Sequence, residues 1–368
     1  MDLSKITNRC FLGLIAVLTV ANIAAPKAEV SWDENRTLNK FPSLDIANIT
    51  GGKFDDEFES WFSDHFVGRK DWIALKAGTR KAALAIENNN VYMAKGGRLV
   101  QTFQSYSEET LAGNVEIIHE FCGSQGMTGN ILIVPTAAWG AQSVLPDGAW
   151  NVDQPALLQK IGEGFADQNF IDYTKTTNAS PSLYFRTDHH WNEQGAYLGY
   201  AAIAENVLHK DPLSFDYTLA SDAFEGTMYS KSGAFWTAPD SIHTITPKDK
   251  DLSVTVSYDA GKEVTDSLFS EKRLSEKDKY TYYVDGNHAE VNIRTNAGTG
   301  RKALIIKDSY AHILIPYLAC EYDEIEMIDL RYYHSPVSEL LSDKENTDLY
   351  FIYSLDNFCS DPNLAFLR

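Results

Sequence analysis

The chain has 368 residues, and 32 Lys and Arg against 51 Asp and Glu give it a formal charge of −19. With 44 % hydrophobic and 23 % charged residues the composition is globular, which excludes extended disorder and collagen-like repeats. A chain this acidic, with no long basic stripe, repels phosphate backbones, so nucleic-acid binding is disfavoured.

At the N-terminus Lys5 and Arg9 precede an apolar run from Cys10 to Ala25, and the polar stretch Pro26 to Glu29 follows. Basic, then apolar, then polar is the pattern of an export signal. The run fits an uncleaved signal anchor best; a cleaved signal peptide, with a mediocre site at Ile23-Ala24-Ala25, and a buried helix are the alternatives. Lys5 and Arg9 lie before the run and the acidic Asp33-Glu34 beyond it, so the positive-inside rule keeps residues 1–9 cytoplasmic and exports the rest. Sequons at Asn35, Asn48 and Asn178 matter only in a eukaryotic secretory pathway.

Residues 31–50 read as a polar, extended leader. Phe54, Phe58, Trp61, Phe62 and Phe66, then Trp72, Ile73 and Leu75, recur at helical spacing. They predict two amphipathic helices broken near Gly68, with the aromatic stripe as core. Val91 to Phe103 reads as a hairpin turning on Gly96-Gly97. Helices are expected over Glu108 to Phe121, Gln154 to Phe165 and Asn192 to Leu208, the last capped by Asn192. Strands are expected at Ile131 to Val134, Phe170 to Tyr173 and Leu183 to Phe185. From 211 to 299 short β runs replace this alternation, at Ser253 to Tyr258, Tyr280 to Val284 and Val291 to Thr295. Alternation resumes with Ala303 to Ile306, a helix from Tyr310, Ile325 to Leu330, a helix near Val337 to Leu341, and Leu349 to Tyr353. The pattern predicts a three-layer α/β domain interrupted by a β-rich insertion. The scheme is 1–28 signal anchor or signal peptide, 29–90 leader and helical region, 91–210 and 300–368 the two parts of the α/β domain, and 211–299 the insertion. Of four cysteines, Cys10 lies in the apolar run; Cys122, Cys320 and Cys359 are expected as buried thiols, a Cys320–Cys359 bridge being the alternative.

Two segments carry chemistry. Tyr184 to Gln194, YFRTDHHWNEQ, runs from an apolar strand into a loop dense in ionisable groups. Leu304 to Tyr310, LIIKDSY, is a buried strand ending in Asp308-Ser309 before a helix. In α/β sheets, sites gather at the carboxyl ends of strands. A serine there lies beside backbone N–H groups, and an Asp-x-His pair supplies an imidazole base and the carboxylate that orients it. Three plainer readings stand beside this one: an ordinary N-cap at Asp308, a metal half-site at Asp188-His189-His190, and a solvated polar loop.

The segment T-D-H-H-W-N, Thr187 to Asn192, resembles the signature of the DHHW protein family. The likeness extends through S-W-D-E-N-R (Ser31 to Arg36), D-H-F-V-G-R (Asp64 to Arg69), V-P-T (Val134 to Thr136), G-N-H (Gly286 to His288), K-D-S-Y (Lys307 to Tyr310) and D-L-R-Y-Y (Asp329 to Tyr333). More distantly the chain is similar to the SGNH-hydrolase-like alginate O-acetyltransferases, which have D-x-H-W followed later by D-S. The resemblance implies Ser309 as nucleophile, His190 as base and Asp188 as the acid of a catalytic triad, with His189 in the variable position. The serine follows the Asp/His block, as in the alginate enzymes and unlike ordinary SGNH hydrolases. Arg331 matches a substrate-orienting arginine loosely, and Asn287 is a candidate oxyanion donor. The resemblance further implies an extracytoplasmic O-acetyltransferase working through an acyl-enzyme on a cell-surface or exopolysaccharide. It implies a membrane-bound partner that exports the acyl group, and no cofactor or metal. A carbohydrate acetylesterase and a non-catalytic glycan-binding or assembly protein are the alternatives.

Overall fold

A computed structural model describes residues 3–31, 36–341 and 344–368. Trp32 to Asn35, and with them most of the S-W-D-E-N-R motif, Asp33-Glu34 and the Asn35 sequon, lie outside the described residues. The chain divides into two units, 1–85 with 233–235, and 86–232 with 236–368.

In the first unit the apolar run is one helix, α1 (Leu3–Ala24), of 22 residues. At 1.5 Å per residue it is about 33 Å long, long and apolar enough to cross a membrane. Two amphipathic helices follow, α2 (Lys53–Asp64) and α3 (Arg69–Ala82), broken at Gly68, whose φ of 67° is the left-handed conformation glycine adopts freely. The aromatic stripe is not the core expected of it. Phe58, Phe62 and Trp72 are 38 %, 41 % and 45 % exposed. Two short helices against one long one bury only part of such a stripe. Phe58 and Phe62 instead line an apolar groove of about 620 Å³ with Phe41 and with Ile15, Leu18 and Ile23 of α1.

The second unit opens with the hairpin β1 (Val91–Ala94) and β2 (Arg98–Gln101). Its loop is Lys95-Gly96-Gly97, one residue longer than expected, because Ala94 pairs with Arg98. Helices α4 (Glu108–Gln125), α5 (Gln154–Gly164) and α6 (Glu193–Asn206) are capped by Ser107, Asp153 and Asn192 side chains that accept backbone N–H bonds. Strands β3 (Gly129–Val134) and β4 (Asn169–Ile171) separate them. An antiparallel ribbon outside the main sheet follows, β5 (Phe215–Phe224) and β6 (Asp240–Pro247), with a short helix α7 (Thr227–Ser232) between its strands. The remaining strands are β7 (Val254–Tyr258), β8 (Glu263–Thr265), β9 (Glu290–Thr295), β10 (Lys302–Lys307), β11 (Glu324–Ile328) and β12 (Thr347–Ser354).

These form an eight-stranded sheet in the order β8-β7-β9-β11-β10-β12-β3-β4. The pairs from β11 to β4 are parallel; those from β8 to β11 are antiparallel. The β-rich segment therefore supplies three strands to one side of the main sheet as well as the separate ribbon. Side chains alternate along the central strands. Leu132, Ile305 and Ile352 enter one core with α6, while Ile131, Leu304 and Phe351 enter the other with α4 and α5. The result is a three-layer, SGNH-like α/β fold with a β-rich insertion. Cys122, Cys320 and Cys359 are buried free thiols.

Two expected strands are absent. Pro181–Leu183 is a 3-10 turn, and Tyr184 makes only an isolated bridge to Trp191, since the chain must fold back at once to close the Asp-His loop. Lys279–Tyr282 is also a 3-10 turn. It runs into Val284, Asp285 and Gly286, all at positive φ, where a strand cannot continue.

Candidate functional site

The strand β10 lies between β11 and β12, and the chain leaves it toward one neighbour and returns on the other side. Such a switch point opens a crevice beyond the carboxyl ends of the strands. Asp308 and Ser309 stand there. Asp308 does cap the following turn, through Oδ1 to the Tyr310 N–H (2.9 Å). Its Oδ2 accepts from the Ser354 N–H and hydroxyl, both 2.8 Å, at the end of β12. Ser309 is first in the 3-10 turn Ser309–Leu314, so its own N–H has no acceptor within the turn.

The Asp-His segment reaches this edge from a loop rather than from a sheet strand. Residues 186–190 form a series of bends, so the expected extended register does not bring Asp188 and His190 together. An Asx turn does. Asp188 Oδ1 accepts both the His190 backbone N–H (3.0 Å) and its Nδ1–H (2.6 Å). His190 Nε2 lies 2.8 Å from Ser309 Oγ. Three groups spread over 121 positions of the chain form one hydrogen-bonded line.

Each member is held from behind. The buried Trp191 donates from Nε1 to the Tyr310 carbonyl (2.8 Å), tying the loop to the serine turn. Thr187 donates its hydroxyl to Asp240 (2.6 Å), and Asp240 also takes the Arg186 and Thr187 N–H groups. Tyr280 stacks on the His190 ring, centroids 3.7 Å apart and planes within 8°, and donates to the Ser309 carbonyl (2.9 Å). Asp188 Oδ2 accepts from the Thr227 N–H at 2.7 Å. Gly226 precedes it so closely that an added Cβ would stand 2.4 Å from Asp188 Cβ. Thr187 and Trp191 sit within the motif already singled out. Tyr280, Gly226, Thr227 and Asp240 carried no signal, being remote in sequence and acting through backbone or ring stacking. Gly226→Ala should displace the Asp188 carboxylate and lower turnover about 10²-fold, the cost of misplacing a catalytic group by about 1 Å. A wild-type rate in that variant would show that Asp188 need not be fixed.

Burial opposes ionisation of Asp188, but His189, His190 and the donated N–H groups overcome it and hold its carboxyl far below the usual range. Burial and the adjacent His189 push the His190 imidazole down, against the pull of Asp188, to about 4. His190 is thus neutral at pH 7 and can accept a proton at Nε2.

His189 Nδ1 lies 3.4 Å from Asp188 Oδ1, and candidate ligand atoms of Asp188, His189 and His190 fall within 4.8 Å of one another. With both His190 nitrogens engaged by Asp188 and Ser309, the cluster offers a metal only two donors. That suits a zinc site poorly. Asn287 and Arg331 meet each other: Arg331 Nη2 donates to Asn287 Oδ1 at 3.1 Å, while Nε and Nη2 grip Asp329 at 2.8 and 2.6 Å. Neither is hydrogen-bonded to the Asp188–His190–Ser309 line.

Fold and site together define an SGNH-like α/β protein with a carboxylate–imidazole–hydroxyl line at the carboxyl edge of its sheet. The DHHW protein family model matches residues 167–328 of the chain. Among solved structures it is similar to a DHHW family protein from Eubacterium siraeum, at 22 % identity and TM-score 0.65 over 76 % of this chain and 96 % of that one. It is similar also to Bacillus cereus PatB1 with a sulfonyl adduct, at 23 % identity and TM-score 0.59 over 74 % and 98 %. A looser likeness, 16 % identity and TM-score 0.46 over 76 % and 98 %, is to the O-acetyltransferase domain of Pseudomonas putida AlgJ. These are likenesses of fold. A search of the curated proteins finds no match.

Proposed function

We propose that the chain is an extracytoplasmic O-acetyltransferase that acts on a cell-surface or exopolysaccharide through an acyl-enzyme on Ser309. The observation that carries this is the unbroken line Asp188–His190–Ser309, with contacts of 2.6 and 2.8 Å. A glycan-binding protein that merely keeps the fold has no need of an imidazole within hydrogen-bond reach of a serine.

In the first half-reaction His190 Nε2 takes the Ser309 proton and Oγ attacks the acetyl carbonyl of the donor. The oxyanion rests on the Ser309 N–H and the Asn287 carboxamide, and each such donor is worth roughly 3 kcal/mol. The intermediate collapses, the donor oxygen leaves with the proton from His190, and acetyl-Ser309 remains. In the second half a sugar hydroxyl gives its proton to His190 and attacks the ester, releasing acetylated glycan and free Ser309.

The helix α1 supports a membrane anchor, and Lys5 and Arg9 before its apolar run keep its start cytoplasmic. Beyond the membrane there is no acetyl-CoA, so a membrane partner supplies the acetyl group. Acetyl-donor turnover with and without candidate polysaccharides, with Ser309→Ala as the blank, tests the transfer. Acetate release that no polysaccharide diverts into glycan ester would make the protein an esterase. External protease on intact cells tests the topology: a protected domain would end the surface-glycan reading.

A pH profile follows from the lowered His190 imidazole. The base form persists below the ordinary imidazole value of 6.5, so the acid limb of kcat/KM should lie below pH 6.5. A limb at or above that value would mean that burial and His189 do not act on His190 as described.

A further inference from the structure

Three short motifs, K-D-S-Y, D-L-R-Y-Y and G-N-H, turn out to be joined by a single chain of hydrogen bonds. Lys307 Nζ donates to His312 Nε2 (2.9 Å) and to Asp329 Oδ2 (3.0 Å). Asp329 holds the Arg331 guanidinium by two bonds, and Arg331 Nη2 reaches Asn287 Oδ1. Lys307, Asp329 and His312 are buried, Arg331 is partly exposed, and Asn287 stands at the surface.

The buried lysine is not needed to neutralise Asp329, which Arg331 already pairs through two N–H groups. An ammonium taken out of water is costly, so its retention calls for another role. Its geometry supplies one. Lys307 pins Oδ2 and with it the plane of the Asp329 carboxylate; that plane sets the guanidinium fork, which has no freedom to turn while both oxygens are fixed. Arg331 offers only donors, so Asn287 must turn Oδ1 toward it. That leaves the Asn287 Nδ2 group, which donates to nothing among the described residues, as a pair of N–H donors. The placement matches. β9 runs antiparallel to β11, so Asn287, just before β9, shares the sheet edge with Asp329 after β11 and Ser309 after β10. Asp329 N–H donates to the Ala289 carbonyl (3.1 Å), closing the two segments together.

We propose that Lys307 is a positioning residue: through Asp329 and Arg331 it fixes the Asn287 carboxamide as an N–H donor to the acyl oxyanion. This rests on the acyl-enzyme proposed for Ser309. The test is the rate at which an aryl sulfonyl fluoride labels the purified full-length protein, together with kcat and KM for acetyl-ester cleavage. In labelling, the Ser309 Oγ–S bond forms, fluoride leaves, and His190 takes the hydroxyl proton.

Lys307→Met and Asn287→Ala should each slow labelling and kcat about 10- to 100-fold, part of the loss seen when an oxyanion donor is removed, with KM little changed. In Arg331→Met or Asn287→Ala backgrounds, Lys307→Met should add nothing, because its effect travels through those residues. A merely structural role would instead give additive losses in every background and would overturn the proposal. If Lys307→Met does not fold, Arg331→Lys carries the test: it keeps the charge, loses the fork, and should match Asn287→Ala. Wild-type labelling in Asn287→Ala or Arg331→Lys also overturns it. No labelling of Ser309 in the wild-type protein would sink the acyl-enzyme reading itself, a separate result.

Discussion

If Ser309 carries the proposed acyl-enzyme, His190→Ala should lower acetyl-ester cleavage by a factor on the order of 10³ or more, while His189→Ala should keep most of it. The two side chains are neighbours in sequence and their rings are 3.9 Å apart, yet their roles differ. Only His190 bridges Asp188 and Ser309, so only its loss leaves the hydroxyl without a base. His189 meets Asp188 at 3.4 Å from the side and supplies charge rather than a proton path. Removing it takes a positive neighbour from His190, so the His190 imidazole titrates higher and the acid limb of the rate profile moves upward. Rates of the purified single variants across pH 3–8 measure both effects. Equal losses in the two variants, with stoichiometric metal in the wild-type protein, would replace the serine mechanism by a metal-centred one.

On the same proposal Asp188→Asn should lower kcat about 10⁴-fold, the scale seen when a triad carboxylate becomes an amide. The cause is a conflict over which end of the amide faces which donor. In the native site Oδ1 receives two N–H groups from His190, and Oδ2 receives the Thr227 N–H. Asparagine has one oxygen, so its NH₂ must face either Thr227 or His190. Facing His190 it forces the other imidazole tautomer, which puts the proton on Nε2 and leaves Ser309 without an acceptor. Facing Thr227 it sets donor against donor in a buried place, at a cost of about 1–3 kcal/mol. A lowered melting temperature with near-normal kcat would show that the imidazole orientation does not depend on Asp188.

Much of the α/β framework is written locally. ILIV, LIIK and DLYFIY are short apolar runs of the length and composition of a strand buried on both faces, and the intervening helices carry side-chain caps. Segments whose conformation depends on distant partners were not legible. Tyr280 to Val284 has the composition of a strand, but it turns to lay the Tyr280 ring on His190, and Val284 is driven to φ 48° by the turn after it. Leu183 to Phe185 looks like a strand end, but its only bridge is to Trp191, seven residues beyond Tyr184. The aromatic stripe of α2 has the right period for a core helix, yet periodicity does not say whether a covering element exists. At the site, the T-D-H-H-W-N and K-D-S-Y motifs announced the side chains that meet at Ser309. The backbone N–H of Thr227, the close approach allowed by Gly226 and the Asp240 clamp on Thr187 left no mark in local sequence.

Strand order and chain order disagree at the centre of the sheet. β12 follows β10 and β3 in the sequence yet lies between them in the sheet and pairs with both. Its final residue, Ser354, also holds Asp308 beside Ser309. The Ser354 N–H and hydroxyl thus tie the end of β12 to the residue that precedes Ser309. Removing or unpairing β12 is therefore expected to part β10 from β3 and to free Asp308 as well, so the order of the sheet centre and the readiness of the proposed site stand or fall together.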